Sequence, residues 1–301
     1  MGDQQEVFQL MGEVSRSIFP LAQAVMGPLF EQYFTEQRFY MPTFMAANIA
    51  PKQITAEILS KRTPYANPET FMKTLTDTAE AGYLDYTEAD NYIVSEKGKK
   101  AIKDVHEAFY GHINSVNQFP ADKIANLVEL LENIIKSCGK AEFVTGTIAF
   151  DISHGGHPDV EPDSLAEVDQ HLDDLNAFRD DAHIAAWTPS GVNGQLWEAL
   201  SFVWNGEANT AEKLIERLPF RNYTEKDYKN ALGDLQELGW IEKGDEGFIV
   251  TTEGKKIRED GESVTNSNYF MPWSVLSNVE LKGLEKLLAE LKEANEKITQ
   301  L

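Results

Sequence analysis

The sequence has little sulfur chemistry and no long hydrophobic run. Cys138 is the single cysteine among 301 residues, so no internal disulfide framework can form, which fits a reducing compartment. No apolar stretch approaches the ~18–20 residues that span a bilayer, and the N-terminal residues lack the basic and apolar regions of a secretory signal. These absences predict a cytoplasmic protein without a membrane partner.

Sequence motifs for catalysis are also missing. The chain has no G-x-S-x-G, no P-loop, no G-x-G-x-x-G and no H-E-x-x-H, and its lone cysteine has no adjacent histidine to activate it. Whether the protein is an enzyme stays open at this point. The missing motifs favour a binding or regulatory role over an enzymatic one.

Positive charge is scarce in this chain. Lysine and arginine total 27 against 49 aspartate and glutamate residues, which gives a net charge of −22. Such a chain repels polyanions unless its basic residues are gathered on one face. Residues 141–183 hold eleven acidic residues and one basic residue, Arg179, so the rest of the chain is less acidic than the whole.

One pattern occurs twice along the chain. TAEILSKRTP (55–64) is repeated as TAEKLIERLP (210–219), and GYLDY…YIVSEKGKKAI (82–102) is repeated as GWIEK…FIVTTEGKKIR (239–258). The first copy begins at position 55 and the second at position 210, which is too long a repeat for a solenoid unit, so the pattern predicts a duplicated domain. The expected divisions are a first module with flanking helices (1–140), an acidic linker and helix (141–183) and a second module (184–301).

The second module predicts three helices followed by a hairpin. TAEKLIERLP is typical of a short helix that Asn209 or Thr210 caps and that the proline ends. Thr224 is the expected N-cap of a longer helix, and Gly239 is the expected residue after its end. Its buried stripe is expected to be Tyr228, Leu232, Leu235 and Leu238. The strands WIEK and FIVTT flank the hairpin signal GDEG, and this order is that of a winged helix-turn-helix.

The first module gives the same order of elements. PTFMAANIA and ITAEILSKR predict two helices, Asn67 is the expected cap of PETFMKTLTDTAEAG, and the hairpin surrounds EADN. The sequence therefore predicts a mainly α fold with small β-hairpin wings, consisting of two winged helix-turn-helix domains and long flanking helices.

Flanking helices outside the two cores carry apolar stripes. In the segment 117–138 the stripe is Ile124, Leu127, Leu131, Ile134 and Ile135. In the segment 279–298 it is Leu281, Leu284, Leu287, Leu288 and Leu291. Such stripes need a partner to bury against, so we expect these two helices to help join the halves.

This layout resembles the MarR-type family of bacterial regulators. The resemblance rests on the helix order and on the wing end (T/S)-x-G-K-K, from Ser95 to Lys100 and from Thr252 to Lys256. It implies an intramolecular pseudo-dimer or a homodimer that binds double-stranded DNA. It also implies a pocket for a small aromatic or apolar effector between the flanking helices and the winged core. FRDDAHIAAW (178–187) is similar to helix-turn-helix proteins of actinobacterial biosynthetic clusters.

Basic residues near the recognition helices are the candidate DNA contacts, since a winged helix places one helix in the major groove while basic side chains hold phosphates. In the second module these are Arg221, Lys226, Lys229, Lys255, Lys256 and Arg258, with Asn230 suited to a base edge; in the first they are Lys73, Lys99 and Lys100. A specific binder neutralises roughly 6–10 phosphates, which these residues barely supply. The alternative is an ordinary solvated surface of mixed charge.

Two histidines form the candidate metal site. His154 and His157 are separated by two glycines, with Asp151 and Asp159 nearby. Imidazoles at this spacing can bind one divalent metal, and carboxylates can complete its coordination. The alternative is a flexible turn that carries exposed polar side chains. No other cofactor is indicated.

Three functions are consistent with these patterns. The first is a DNA-binding transcriptional regulator under the control of a small apolar ligand. The second is a winged-helix scaffold that binds a protein or a small molecule and does not bind DNA. The third is a metal-dependent activity at the 151–159 loop.

Overall fold

The chain folds almost entirely into helices joined by short turns. The computed structural model describes residues 2–49, 53–88, 90–156 and 160–299. The helices are α1 (Gly2–Tyr33), α2 (Tyr40–Asn48), α3 (Ala56–Arg62), α4 (Phe71–Glu80), α5 (Glu96–Val116), α6 (Ala121–Cys138), α7 (Ile148–Gly155), α8 (Leu165–Trp187), α9 (Gly194–Trp204), α10 (Ala211–Arg217), α11 (Glu225–Glu237), α12 (Thr252–Phe270) and α13 (Asn278–Thr299). The predicted predominance of helix is confirmed.

Two small antiparallel hairpins complete the secondary structure of the described residues. Strand β1 (Leu84–Tyr86) pairs with β2 (Tyr92–Val94), and β3 (Ile241–Gly244) pairs with β4 (Gly247–Val250). In the same part of the chain, no helix is both long and apolar enough to cross a membrane.

Contacts group the chain into two compact units, each made of separated stretches. Unit 1 consists of Met1–Ile54, Thr76–Asp181 and Tyr269–Leu301, and unit 2 consists of Thr55–Leu75 and Ala182–Asn268. The sequence-based divisions 1–140, 141–183 and 184–301 stay a prediction about modules of the sequence. The acidic segment 141–183 contains α7 and most of α8.

Local sequence signals set the helix ends in unit 2. Thr210 Oγ1 accepts the N–H of Lys213 at 3.3 Å at the start of α10. Thr224 and Asp227 form a reciprocal capping box at the start of α11, and Gly239 follows that helix with φ +74°. The prediction for Leu238 was wrong, because this side chain is 47% exposed. Leu238 is the C-cap residue and follows the last residue of α11, so it lies past the end of the buried stripe.

The residues after each hairpin make the same hydrogen bonds. The hydroxyls of Ser95 and Thr251 each donate, at 2.7 Å, to the carbonyl of the glycine that precedes the hairpin. They also accept the N–H groups of Gly98 and Gly254, at 3.0 and 3.1 Å. Thr251 is therefore the counterpart of Ser95, and the sequence pattern that began at Thr252 was wrong by one residue.

The glycine of this wing end is required by close packing against the backbone. A Cβ atom on Gly98 would lie 2.3 Å from the carbonyl oxygen of Tyr83, and one on Gly254 would lie 2.0 Å from that of Trp240. Neither distance is compatible with a side chain unless the backbone moves. The glycine of the repeated G-K-K pattern is thus required for the same steric reason in both units.

Unit 1 is a helical assembly that includes the first and the last helix, α1 and α13. The helix α13 packs along α1 and also contacts α6. Lys292 Nζ lies 2.7 Å from Glu13 Oε2, and the buried Asn295 Nδ2 donates to Ser17 Oγ at 3.0 Å. The predicted stripes of α6 and α13 are buried in this unit.

Unit 2 has its own aromatic core. Trp187 and Trp197 are buried in it with ring centroids 6.0 Å apart, and Tyr228 and Leu232 of α11 belong to the same cluster. Trp187 Nε1 donates to the hydroxyl of Tyr65 at 2.9 Å. Trp187 and Trp197 therefore serve packing in this core.

Candidate functional site

A cavity lies in unit 1 among α1, α2, α5, α7 and α8. Its volume is about 430 Å³, within the range typical of small-molecule sites. Along the chain, α2 lies before the first hairpin and α5 directly follows it, whereas α1, α7 and α8 are flanking helices. The cavity is thus lined by flanking helices and by helices of the predicted first winged core.

Aromatic rings form one wall of this cavity. Tyr40 and Phe44 are four residues apart on α2, and His106 and Tyr110 are four apart on α5, so each pair lies on one helix face. The centroid of the Phe44 ring lies 5.8 Å from that of Tyr40 and 5.5 Å from that of His106. Tyr40 Oη lies 3.2 Å from His106 Nε2, within hydrogen-bonding distance. The wall is therefore continuous and partly polar.

The polar groups of this wall are uncharged at neutral pH. Burial lowers the pKa of His106 to about 4. Burial, with a contribution from the charge of Asp173, raises the pKa of Tyr40 to about 12. The imidazole is therefore neutral and the phenol is protonated, and the His106 tautomer determines which of the two donates.

Carboxyl groups of α8 also line this cavity. Asp169 and Asp173 are four residues apart and both line the cavity. Asp169 is 8% exposed, and burial, followed by the charge of Asp173, raises the pKa of its carboxyl well above the usual range. Within the part of the chain that the structure describes, this carboxyl makes no hydrogen bond or ion pair. The neighbouring Gln170 hydrogen-bonds to Tyr110.

A second polar cluster lies at the end of α7, also in unit 1. The fully buried Asp174 accepts hydrogen bonds from Ser153 Oγ and His154 Nδ1, both at 2.7 Å. The hydrogen bond between His154 and Asp174 is the main reason that the pKa of His154 is raised. The carboxylate lies between the hydroxyl and the imidazole, so the three groups do not form the nucleophile–base order of a hydrolase triad.

The predicted metal pair is only partly visible. His157 and Asp159 lie outside the described residues, while the Nδ1 atom of His154 is engaged by Asp174. Among the residues that are described, no group of three or more His, Cys, Asp or Glu side chains has the geometry to hold a metal ion. The metal site therefore stays a prediction.

The His154–Asp174 pair predicts a pH-dependent contribution to stability. Because the folded pKa of His154 is raised from 6.5, its contribution is fully present below pH 6.5 and is lost as the pH rises through the folded value. We expect His154→Gln to lower the free energy of unfolding more at about pH 5.5 than at about pH 8.5. Denaturant titrations at the two pH values test this, and an equal loss at both would contradict it.

Two predicted DNA contacts are engaged inside unit 2. Arg221 Nε lies 3.1 Å from both carboxylate oxygens of Glu198, and its Nη2 donates to Oε1 at 2.7 Å. Arg258 is 8% exposed, donates to Ser201 Oγ at 2.8 Å and pairs with Glu262 at 2.6 Å. These guanidinium groups are used for internal contacts and are not free to hold phosphates.

The other predicted contacts of the second module are exposed. Lys226, Lys229 and Asn230 lie on α11, and Lys255 and Lys256 lie in the first turns of α12. Lys229 is paired with Glu225 and lies 3.9 Å from Glu212, while Lys255 lies 3.7 Å from Glu259. Such exposed pairs contribute only about 0–1 kcal/mol each, so they do not prevent other contacts.

The predicted contacts of the first module lie on two elements. Lys73 is exposed on α4. On α5, Lys99 Nζ lies 2.6 Å from Glu96 Oε1, and Lys100 pairs with Asp104. Both lysines of α5 thus have acidic partners within one helical turn.

The turns ahead of α4 and α11 are hydrogen-bonded to each other within unit 2. The N–H of Asn67 donates to the carbonyl of Arg221 at 2.8 Å, and its side-chain amide donates to that of Asn222 at 3.1 Å. Tyr223 Oη donates to the carbonyl of Ala66 at 3.2 Å. The N-terminal ends of these two helices are therefore close together.

The Arg221–Glu198 pair makes a structural role for Arg221 testable. We expect Arg221→Ala to lower the free energy of unfolding of unit 2 by about 2 kcal/mol, because it leaves a largely buried carboxylate without its partner. Lys226→Ala, at an exposed position, should change it by less than about 0.5 kcal/mol. Urea titrations followed by tryptophan fluorescence measure both values. Equal effects would contradict the structural role.

The fold and the cavity together define a mainly helical protein with a polar, aromatic-lined site. Residues 157–299, just under half of the chain, match the model of the Helix-turn-helix family, and this part of the chain contains a helix-turn-helix domain. No curated protein and no solved structure matches the chain.

Sequence reasoning missed most of the cavity residues. The signal for Asp169 was a carboxylate within a helix whose neighbours Leu165, Val168 and Leu172 are apolar and are buried in the structure. A carboxyl group on such a face is costly unless it has a partner, so it marks a functional candidate. The partner side chains on α2 and α5 gave no comparable signal.

Proposed function

We propose that this protein binds a small organic molecule in the cavity of unit 1, and that its two MarR-like winged-helix modules are scaffold rather than DNA readers. The observation that carries the proposal is the cavity itself. It combines a volume of about 430 Å³ with an aromatic wall and with polar groups whose pKa values are shifted, such as His106 and Asp169.

The scaffold part of the proposal rests on the correspondence between the two halves. The matching hydrogen bonds of Ser95 and Thr251, and the same close packing at Gly98 and Gly254, support a tandem duplication. The packing of α13 against both α1 and α6 supports an intramolecular pseudo-dimer built from flanking helices.

Two features favour a scaffold over a pair of DNA readers. A helix-turn-helix pair places its recognition helices about 34 Å apart in successive major grooves, and their N-terminal residues contact the bases. Here, the turns ahead of α4 and α11 are bonded to each other through Asn67, Arg221 and Asn222. In addition, the β3–β4 turn consists of Asp245 and Glu246, whose charges repel phosphate.

Ligand-detected NMR with a set of small, soluble aromatic fragments tests the proposal. We expect some fragments to bind the native chain and to lose binding in Ser15→Phe, which places a ring at the cavity wall. The matched control is Ser115→Phe, at an exposed position of α5 outside the lining. The proposal fails if no fragment binds, or if binding is unchanged in Ser15→Phe.

DNA binding is the second candidate function. It is favoured by the helix-turn-helix match and by the exposed Lys226, Lys229 and Asn230 of α11, together with Lys255 and Lys256 of α12. In this proposal α11 alone enters a major groove, while the two lysines of α12 hold phosphates.

Charge reversal on α11 separates this candidate from the scaffold. If the chain binds duplex DNA, Lys226→Glu combined with Lys229→Glu should abolish the mobility shift, because two phosphate contacts become repulsive. Lys282→Glu combined with Lys286→Glu makes the same charge change on α13 and should retain the shift. Absence of any shift for the native chain at low salt would rule out this candidate.

A further inference from the structure

We infer that the cavity of unit 1 binds an organic ammonium ion that carries an aromatic or apolar group, with Asp169 as its counter-ion. This inference rests on the proposed function, because it names the chemical class of the ligand for the same cavity.

The first observation is a buried carboxyl without a partner. Asp169 lines the cavity and is 8% exposed, yet within the described residues it has no hydrogen bond or ion pair. Buried carboxyl groups are normally paired, because an isolated buried charge is costly. Burial and the charge of Asp173 favour the protonated form of this carboxyl, and a ligand that brings a positive charge and N–H donors would stabilise the carboxylate and pair with it.

The second observation is that the electrostatic surroundings of Asp169 are negative. Asp173, one helical turn away, also lines the cavity and adds repulsion instead of compensation. Arg16 is the basic residue of the lining, but it is exposed and does not contribute to the pKa shift of Asp169. The cavity near these two carboxyl groups therefore favours a cation.

The third observation is the aromatic wall of the same cavity. The rings of Tyr40, Phe44 and Tyr110 line the same cavity, and His106 between them stays neutral because burial lowers its pKa to about 4. Aromatic faces attract ammonium groups, and a neutral imidazole does not repel them. The same rings can pack against the apolar part of the ligand.

Three phenyl compounds of nearly equal size test the class of ligand. Phenethylamine is cationic at neutral pH, 2-phenylethanol is neutral and phenylacetate is anionic. We expect titration calorimetry with the full chain to give about tenfold tighter binding for the amine than for the alcohol, and weaker binding still for the acid.

Isosteric variants assign the preference to Asp169. Asp169→Asn keeps the size of the side chain and should reduce the amine preference to about twofold or less, with the affinity for the alcohol retained. Asp85→Asn removes an exposed carboxylate on β1 of the same unit and should leave the preference intact.

The outcomes separate this inference from the proposed function. Binding of the alcohol as tightly as the amine would overturn the ammonium class and leave the small-molecule site in place. Preference for phenylacetate would also overturn it and would point to Arg16 instead. If none of the three compounds binds and the wider fragment set also fails, both proposals are wrong.

Discussion

Replacement of Gly254 by alanine is expected to lower the free energy of unfolding of unit 2 by about 3 kcal/mol or more. The added Cβ would lie 2.0 Å from the carbonyl oxygen of Trp240 and 2.7 Å from its carbonyl carbon. These are backbone atoms, so no side-chain rotation can relieve the clash. They also belong to the residue that accepts the N–H of Thr251 at 3.0 Å, so moving them weakens the start of α12.

Gly233→Ala is the matched control for this prediction. Gly233 lies inside α11, also in unit 2, and a Cβ there would meet no atom within 4 Å. Alanine at such a helix position is expected to stabilise by about 0.5–1 kcal/mol. Urea unfolding followed by tryptophan fluorescence compares the two variants, since Trp187, Trp197 and Trp240 belong to unit 2. A midpoint for Gly254→Ala equal to that of the native chain would refute the steric argument.

The same substitution in unit 1 checks the correspondence between the two wing ends. A Cβ on Gly98 would lie 2.3 Å from the carbonyl oxygen of Tyr83 and 3.0 Å from side-chain atoms of Thr43 and Val94. We expect Gly98→Ala to destabilise unit 1 for the reason given for Gly254. If only one of the two variants were destabilised, the two glycines would not have equivalent roles.

Asp181→Ala is expected to destabilise unit 1 by about 3 kcal/mol. The Asp181 side chain is buried and accepts the N–H groups of Ala149 and Phe150 at 3.0 and 2.8 Å, at the start of α7. Thr147, the residue before that helix, provides no side-chain cap. Alanine would leave two buried donors unsatisfied and would remove a negative charge from the positive end of the helix.

Two further variants test this explanation. Asp181→Asn keeps one acceptor oxygen and should recover part of the lost stability. Glu161→Gln removes an exposed charge of the same acidic segment and should change stability by less than about 0.5 kcal/mol. Thermal unfolding followed by circular dichroism ranks the three variants. A loss in Glu161→Gln equal to that in Asp181→Ala would show that the net acidity of the segment matters more than the cap.

The Asp181 prediction bears on the function through the cavity. Asp181 fixes the start of α7, and the other end of α7 contributes Ser153 to the cavity lining. If α7 frays, that part of the wall loses its position. Asp181→Ala is therefore expected to weaken binding of phenethylamine, whereas Gly233→Ala, in unit 2, should not.

The sequence predicted those features whose signals are local. The Thr210 and Thr224 caps, Gly239 with its positive φ and the hairpin around GDEG all depend on residues within a few positions of each other, and each is confirmed. The failures were also local. Leu238 is exposed and not part of the buried stripe, and the wing-end pattern begins at Thr251 instead of Thr252. Residue spacing alone does not fix where a buried stripe ends or at which residue a pattern begins.

The candidate DNA contacts show where local reasoning ends. The sequence identifies Arg221 and Arg258 as basic residues near a recognition helix, but their partners Glu198 and Ser201 lie far from them along the chain. Spacing alone predicts only the i,i+4 pair of Arg258 with Glu262; the bonds to Glu198 and Ser201 form when the chain folds. Lys226 and Lys229 are also basic residues of the predicted recognition helix, but the structure leaves both of them exposed.

The order of the elements and the repeated pattern could be predicted from the sequence, because caps, turns and apolar stripes are set by neighbouring residues. That Asp181 caps a helix 31 residues away from it, and that Asp169, Tyr40 and His106 line one cavity, is seen in the folded chain alone. The physical reason is that the ionisation and the hydrogen bonding of a buried carboxyl depend on groups from several helices. Those groups meet only when the chain has folded.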